Sequence, residues 1–192
     1  MHYVRSKYSG AIGRSKAKED AMKLVVVSDA HGDAAILQTI LTQQPDADGY
    51  FYCGDSELAA SDPLFKTYRA VSGNMDIDPD FPLTVTASLS GVRVWMTHGH
   101  RFNVNFTLAP LLAAGKDAQA DIILFGHTHQ LGVEQVEAQL VLNPGSISQP
   151  RGRYAGLGGT YAVITVTPTQ FTVQYLTRAG QPVPELAFHF QR

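Results

Sequence analysis

Cysteine is nearly absent: Cys53 is the one example in 192 residues. A single thiol forms no disulfide within the chain and excludes any metal site built on two or more thiolates of one chain. Long apolar runs are missing as well; none approaches the ~18 residues of a membrane-spanning helix. Neither charge dominates. Lys and Arg number 15 against 17 Asp and Glu, a formal net charge of −2. There is thus no general electrostatic pull toward nucleic acid or an anionic membrane. Nor is there a basic, aromatic-rich stretch of the kind that stacks on single-stranded nucleic acid. Internal repeats and low-complexity segments are also lacking. What remains reads as a soluble, cytoplasmic protein with one core. The composition, 44% hydrophobic and 17% charged, is ordinary for such a domain.

Residues 1–21 differ from the rest. They carry Arg5, Lys7, Arg14, Lys16 and Lys18 against Glu19 and Asp20, with no apolar stretch long enough for a secretory signal. Strand-like sequence begins at once after Met22. The expected organisation is therefore a leader or extension over 1–21 and one domain over 22–192. Deleting the leader should leave the melting temperature and activity nearly unchanged; a large loss of either would sink that division.

From Met22 onward, short apolar runs alternate with helical patterns. Leu24–Val27, Tyr50–Cys53, Tyr68–Val71, Leu83–Ser88, Val92–Met96 and Asp121–Phe125 read as strands. Asp33 is placed to cap a helix whose Ile36, Leu37, Ile40 and Leu41 share one face. A second short helix is expected over Phe106–Ala114, although Pro110 lies within it. Beyond Gly126 the pattern turns to strands: Val133–Val136, Gln139–Leu142, Thr160–Thr167, Phe171–Tyr175 and Leu186–Phe190. The front is α/β and the back mostly antiparallel β.

The chemistry gathers where strands end. Val27 leads into "SDAHGD", Cys53 into "GDSE", Val71 into "SGNMD", Met96 into "THGH" and Phe125 into "GHTH". Five of the seven histidines lie in these clusters. In open α/β sheets, ligands sit beyond the carboxyl ends of the strands. A lone Gly-Asp is ordinarily a turn and a lone His-x-His ordinarily solvated. Asp33 and Asp76 are read in that bland way, as cap or turn residues. Five clusters in this order are more specific. Asp29 and His31, and likewise His127 and His129, stand two positions apart, which in an extended segment puts both on one side. The set Asp29, His31, Asp55, Asn74, His98, His127 and His129 exceeds the four ligands of a closed structural zinc site. Its carboxylates, amide and imidazoles suit Mn²⁺, Zn²⁺, Fe²⁺, Co²⁺ or Ni²⁺, and a two-metal site.

The succession "D-x-H", "GD", "GN", "H-G-H" and "GHTH", extended by "NPGS" at Asn143–Ser146, resembles the calcineurin-like metallophosphoesterases, in particular their small, single-domain prokaryotic phosphodiesterases. The resemblance implies a four-layer α/β/β/α sandwich and two divalent cations per chain, Mn²⁺ foremost. It implies that Asp29, His31 and His129 bind one ion, that Asn74, His98 and His127 bind the other, and that Asp55 bridges them. The implied reaction is hydrolysis of a small phosphate ester, a phosphodiester above all, by in-line attack of a metal-bridging hydroxide. Many relatives have "GNHE", whose histidine is a candidate acid for the leaving group. Here the motif is "GNMD", and Met75 has no proton to donate. His100 is the nearest substitute; its other possible roles are orienting a ligand or contacting phosphate. Arg151, after the "NPGS" loop, is a candidate phosphate contact. Two alternatives carry the same fold: a non-catalytic scaffold like the retromer subunit, and a nuclease. The sequence leaves a homo-oligomer open.

Overall fold

Strand β1 (Met22–Val27) is apolar at nearly every position, so both of its faces need cover. In the computed structural model, which describes residues 21–192, each face has it. The expected leader lies outside these residues apart from Ala21. Leu24 and Val26 point into one apolar layer and Val25 and Val27 into another, the period-two alternation of a pleated strand.

β1 belongs to a six-stranded sheet with β2 (Gly49–Tyr52), β3 (Tyr68–Ala70), β9 (Thr160–Val166), β10 (Gln170–Thr177) and β11 (Pro182–Gln191), in the order β11-β10-β9-β1-β2-β3. β1, β2 and β3 are parallel, whereas β9, β10 and β11 run antiparallel to their neighbours. A second sheet joins β4 (Thr84–Leu89), β5 (Val92–Thr97), β6 (Ile122–Leu124), β7 (Leu131–Val136) and β8 (Gln139–Pro144), ordered β4-β5-β6-β8-β7. There β5, β6 and β8 are parallel.

The inner faces of the two sheets meet in a core built from Leu24, Val26, Phe51, Val94, Met96, Ile122, Leu124 and Leu142, among others. Helix α1 (Ala34–Gln43) covers the outer face of the first sheet. Its expected cap and stripe are present: Asp33 accepts from the Ile36 N–H at 3.1 Å, and Ile36, Leu37 and Ile40 are buried. Full burial of a Leu or Ile side chain is worth about 1.5–3 kcal/mol, so Leu37 and Ile40 anchor the helix. Helix α2 (Ala109–Asp117) covers the second sheet, setting Leu111 against Trp95, Ile123 and Val141. The result is the expected four-layer sandwich in a single domain. Among the described residues, no helix is long and apolar enough to cross a membrane.

Some element bounds differ from expectation. The second helix runs from Ala109 to Asp117 rather than from Phe106 to Ala114. Proline is tolerated only in a helix's first turn, where its missing N–H has no partner to lose. Pro110 therefore marks the start of the helix rather than its middle. Asn103, with φ of +58°, turns the chain just before, and Phe106 projects into solvent at 86% exposure. Leu131 and Pro182 begin strands that extend further toward the N-terminus than the apolar pattern suggests.

Candidate metal centre

Six parallel strands, three from each sheet, point their carboxyl ends the same way, and the polar clusters follow them. Backbone bonds stitch the loops together beyond the strands: Asp29 N–H to Gly54 C=O (3.0 Å), His31 N–H to Asp55 C=O (3.1 Å), Gly126 N–H to His98 C=O (3.0 Å) and Ile147 N–H to Ser28 C=O (3.0 Å). The loops are packed too closely for side chains at two positions. A Cβ at Gly73 would overlap the Asp55 carboxylate, and one at Gly126 would overlap Ser28 Oγ and approach Asp29 Oδ2 to 2.9 Å. This is the physical reason for glycine in "GN" and "GHTH".

Asp29, His31, Asp55 and His129 each offer a ligand atom within 4.8 Å of the others. Asn74, His98 and His127 gather beside them. His98 Nε2 lies 3.2 Å from Asn74 Oδ1 and 3.3 Å from Asp55 Oδ2, and the His98 and His127 rings are 5.1 Å apart. All seven expected residues therefore converge. The route differs from the extended geometry that the spacing suggested. Asp29, His31, Asp55, His127 and His129 all have positive φ, between +47° and +67°. Tight left-handed turns, not extended segments, aim the paired side chains. Non-glycine residues seldom adopt this conformation, and such strain collects at functional sites.

The outer nitrogens of three histidines are committed elsewhere. His98 Nδ1 is 2.7 Å from the Cys53 carbonyl, His129 Nδ1 is 2.7 Å from the Gln149 carbonyl, and His31 Nδ1 is 2.7 Å from Glu57 Oε1. A carbonyl or carboxylate can only accept, so each Nδ1 carries the hydrogen, and only Nε2 is left to offer a lone pair inward. The His31 and His129 Nε2 atoms then face each other at 3.3 Å, with Asp29 Oδ1 3.3 Å from the latter. Asp29 is fully buried and neither of its carboxylate oxygens has a hydrogen-bond partner. Deprotonated Nε2 atoms and this buried carboxylate would repel one another unless positive charge lay between them. The donor set therefore fits divalent cations.

Electrostatics follow the same logic. Burial opposes a charged His98, but the Asp55 and Asp29 carboxylates outweigh it and raise its pKa. The Asp29 carboxylate raises His129 against its burial. Burial alone would lift Asp55, yet His98 and the Met75 N–H hold it below the usual carboxylate range. Burial, then the neighbouring His98 charge, lowers both His127 and His100.

A sequence profile of the calcineurin-like phosphoesterase superfamily domain matches residues 22–169. The chain belongs to this superfamily. It is 34% identical over 166 residues to the probable metallophosphoesterase YsnB of Bacillus subtilis, an overlap of 86% of this chain and 96% of that protein. It is 36% identical over 91 residues to the phosphodiesterase YfcE of Escherichia coli, 43% and 46% of the respective lengths. Among solved structures, a predicted phosphoesterase from Streptococcus pneumoniae superposes with a TM-score of 0.86 at 35% identity, covering 90% of this chain and 98% of that one. Vps29 of Cryptosporidium parvum shares the fold at 17% identity, with a TM-score of 0.69.

A cavity of about 310 Å³ opens beside the cluster, lined by His31, Asp55, Glu57, Asn74, Met75, His127, His129, Gln149 and Arg151. Arg151 is among the lining residues. His100 is not in that lining; its ring lies 5.4 Å from His98 and its Nδ1 is buried without a partner. Two contributors escaped the sequence reading. Glu57 orients His31, and Asn105 Nδ2 lies 3.1 Å from His127 Nε2. Glu57 could have been suspected from "GDSE", where it repeats the two-residue spacing after Asp55. Asn105 carried no signal, because its loop has no motif.

Proposed function

We propose that this protein is a dinuclear-metal phosphoesterase that hydrolyses small phosphate esters, with phosphodiesters as the main substrates. The observation that carries the reading is the inward convergence of imidazole Nε2 atoms on the buried Asp29 carboxylate. Asp29, His31 and His129 would hold one cation, Asn74, His98 and His127 the other, and Asp55 would bridge them. Divalent cations there, Mn²⁺ foremost, would supply charge to the phosphoryl oxygens and bring the pKa of water toward ~7. The protein's own groups do the rest. Glu57 and the Cys53 and Gln149 carbonyls hold the imidazoles in the ligating tautomer. Asn74 contributes a neutral oxygen, so the site keeps more positive charge than an all-carboxylate one. Arg151 presents a guanidinium to the cavity and is placed to pair with a phosphoryl oxygen. Ser, Thr and Cys are missing from the described lining, so no hydroxyl or thiol nucleophile competes with water there.

The leaving group receives little help. Met75, half exposed in the cavity wall, has no proton to give. His100 has a lowered pKa and is neutral near pH 7, which suits a hydrogen-bonding role better than that of an acid. Since a positioned acid contributes about 10²–10⁴-fold, esters with good leaving groups should turn over faster than alkyl esters by a factor of that order. The test is a panel of aryl and alkyl mono- and diesters, assayed after chelation and reloading with Mn²⁺, Zn²⁺, Fe²⁺, Co²⁺ or Ni²⁺. Metal-restored hydrolysis of aryl diesters is expected. Stoichiometric metal without turnover of any ester would instead support the scaffold reading, against which stand seven competent ligand side chains.

A further inference from the structure

Asp76, read from the sequence as a turn residue, accepts five hydrogen bonds. Oδ2 receives the N–H of Asp55 and of Gly73, both at 2.8 Å. Oδ1 receives the N–H of Ser56 at 2.9 Å, the Ser56 hydroxyl at 2.8 Å and the N–H of Glu57 at 2.8 Å. One carboxylate thus fills the N–H groups of three consecutive residues after β2 and ties them to the loop after β3.

The residues held are not arbitrary. Asp55 and Glu57 both have φ of +56°, a conformation that costs a non-glycine residue free energy and needs its surroundings to enforce it. Asp55 is the residue read as bridging the ions, and Glu57 orients His31. On the other loop, Asn74 and Met75 lie between Gly73 and Asp76, and the Met75 N–H donates to Asp55 Oδ1 at 2.8 Å. Charge-assisted bonds to a carboxylate are about twice as strong as neutral ones. Asp76 therefore joins the backbone carrying Asp55 to the backbone carrying Asn74.

We propose that Asp76 is a positioning residue: it holds Asp55, Asn74 and, through Glu57, His31 at the separations that let two cations bind together. The proposal rests on the two-metal reading of the site. It accounts for the aspartate of "GNMD" by its own bonds. An asparagine in its place keeps the shape but turns one acceptor end into a donor, leaving two or three of the five donors without a partner.

Asp78 supplies an internal control. It spans the same two loops, accepting from the Ala60 N–H at 2.8 Å and the Asp80 N–H at 3.0 Å, but holds no backbone of a site residue. Mn²⁺ binding by the purified full-length protein, Asp76→Asn and Asp78→Asn should be measured by calorimetry well below each melting temperature, without substrate. Partners that orient metal ligands are typically worth 10–100-fold in metal affinity. A loss of that size, or of one of two bound ions, is expected in Asp76→Asn, with wild-type affinity and stoichiometry in Asp78→Asn. Equal affinity in Asp76→Asn and wild type overturns the proposal, as does an equal loss in both variants. Should Asp76→Asn not fold, Ser56→Ala, which deletes one of the five bonds, decides: a several-fold weaker affinity supports the role and an unchanged one overturns it. A wild-type protein that binds no Mn²⁺ defeats the site reading itself, a different result from two ions bound equally by all variants.

Discussion

Replacing Asp55 with alanine is expected to abolish metal-dependent phosphodiester hydrolysis while the fold survives. The Asp55 carboxylate lies 3.3 Å from His98 Nε2 and accepts from the Met75 N–H, and it also shares a four-residue cluster with Asp29, His31 and His129. It contacts both halves of the candidate ligand set. Its loss should drop bound metal from two ions per chain toward one or none. Charge stabilisation by a metal is worth several kcal/mol, and about 1.4 kcal/mol is tenfold in rate, so kcat/KM should fall by more than about 10³-fold. The structural cost is smaller. One buried N–H, that of Met75, loses its acceptor, at about 1–3 kcal/mol. Elemental analysis, far-UV circular dichroism and turnover of a bis-aryl phosphate with Mn²⁺ would check all three parts. Retained turnover in a folded Asp55→Ala protein would count decisively against this site.

The second large effect concerns stability and has the opposite sign. Asp29→Asn should make the metal-stripped protein more stable than the wild type and unable to gain from metal. The Asp29 side chain is fully buried, its oxygens lack hydrogen-bond partners, and Asp55 lies close by. Without a cation, that arrangement leaves a buried carboxylate offset by the neighbouring imidazoles alone, His129 at 3.3 Å foremost. The backbone of Asp29 is secured independently, its C=O accepting from Ser146 Oγ at 2.8 Å and its N–H donating to Gly54 C=O at 3.0 Å. The amide should therefore occupy the same place. Removing the charge should be worth about 1–2 kcal/mol, or a rise of about 2–8 °C in the melting temperature of the stripped protein. Wild type should overtake the variant once Mn²⁺ is added, because a ligand that binds only the folded state stabilises it. Thermal melts of both proteins, with chelator and with Mn²⁺, provide the comparison. A stripped variant less stable than stripped wild type would contradict the idea that the site stores unfavourable electrostatics for the metal.

The sequence by itself determined more about the site than about its construction. The candidate ligands were legible because strand ends are local events: an apolar run, a glycine and a polar residue lie within a few positions of one another. Asp29, His31, Asp55, Asn74, His98, His127 and His129 could all be named from such windows. The capped helix at Asp33 was legible for the same reason. Side-chain direction was not, since an i, i+2 spacing aims both residues one way only if the chain is extended. Here positive φ at five of the seven makes the aim a product of loop packing. Pro110 was ambiguous within its window, because a proline opens a helix as readily as it breaks one. Only the tertiary structure decided what supports the ligands. Asp76 bonds to residues 19 to 21 positions away, the Gln149 carbonyl reaches His129 across 20 positions, and Asn105 reaches His127 across 22. Such contacts depend on how two sheets stack and where their loops meet, and no local pattern of residues encodes that meeting.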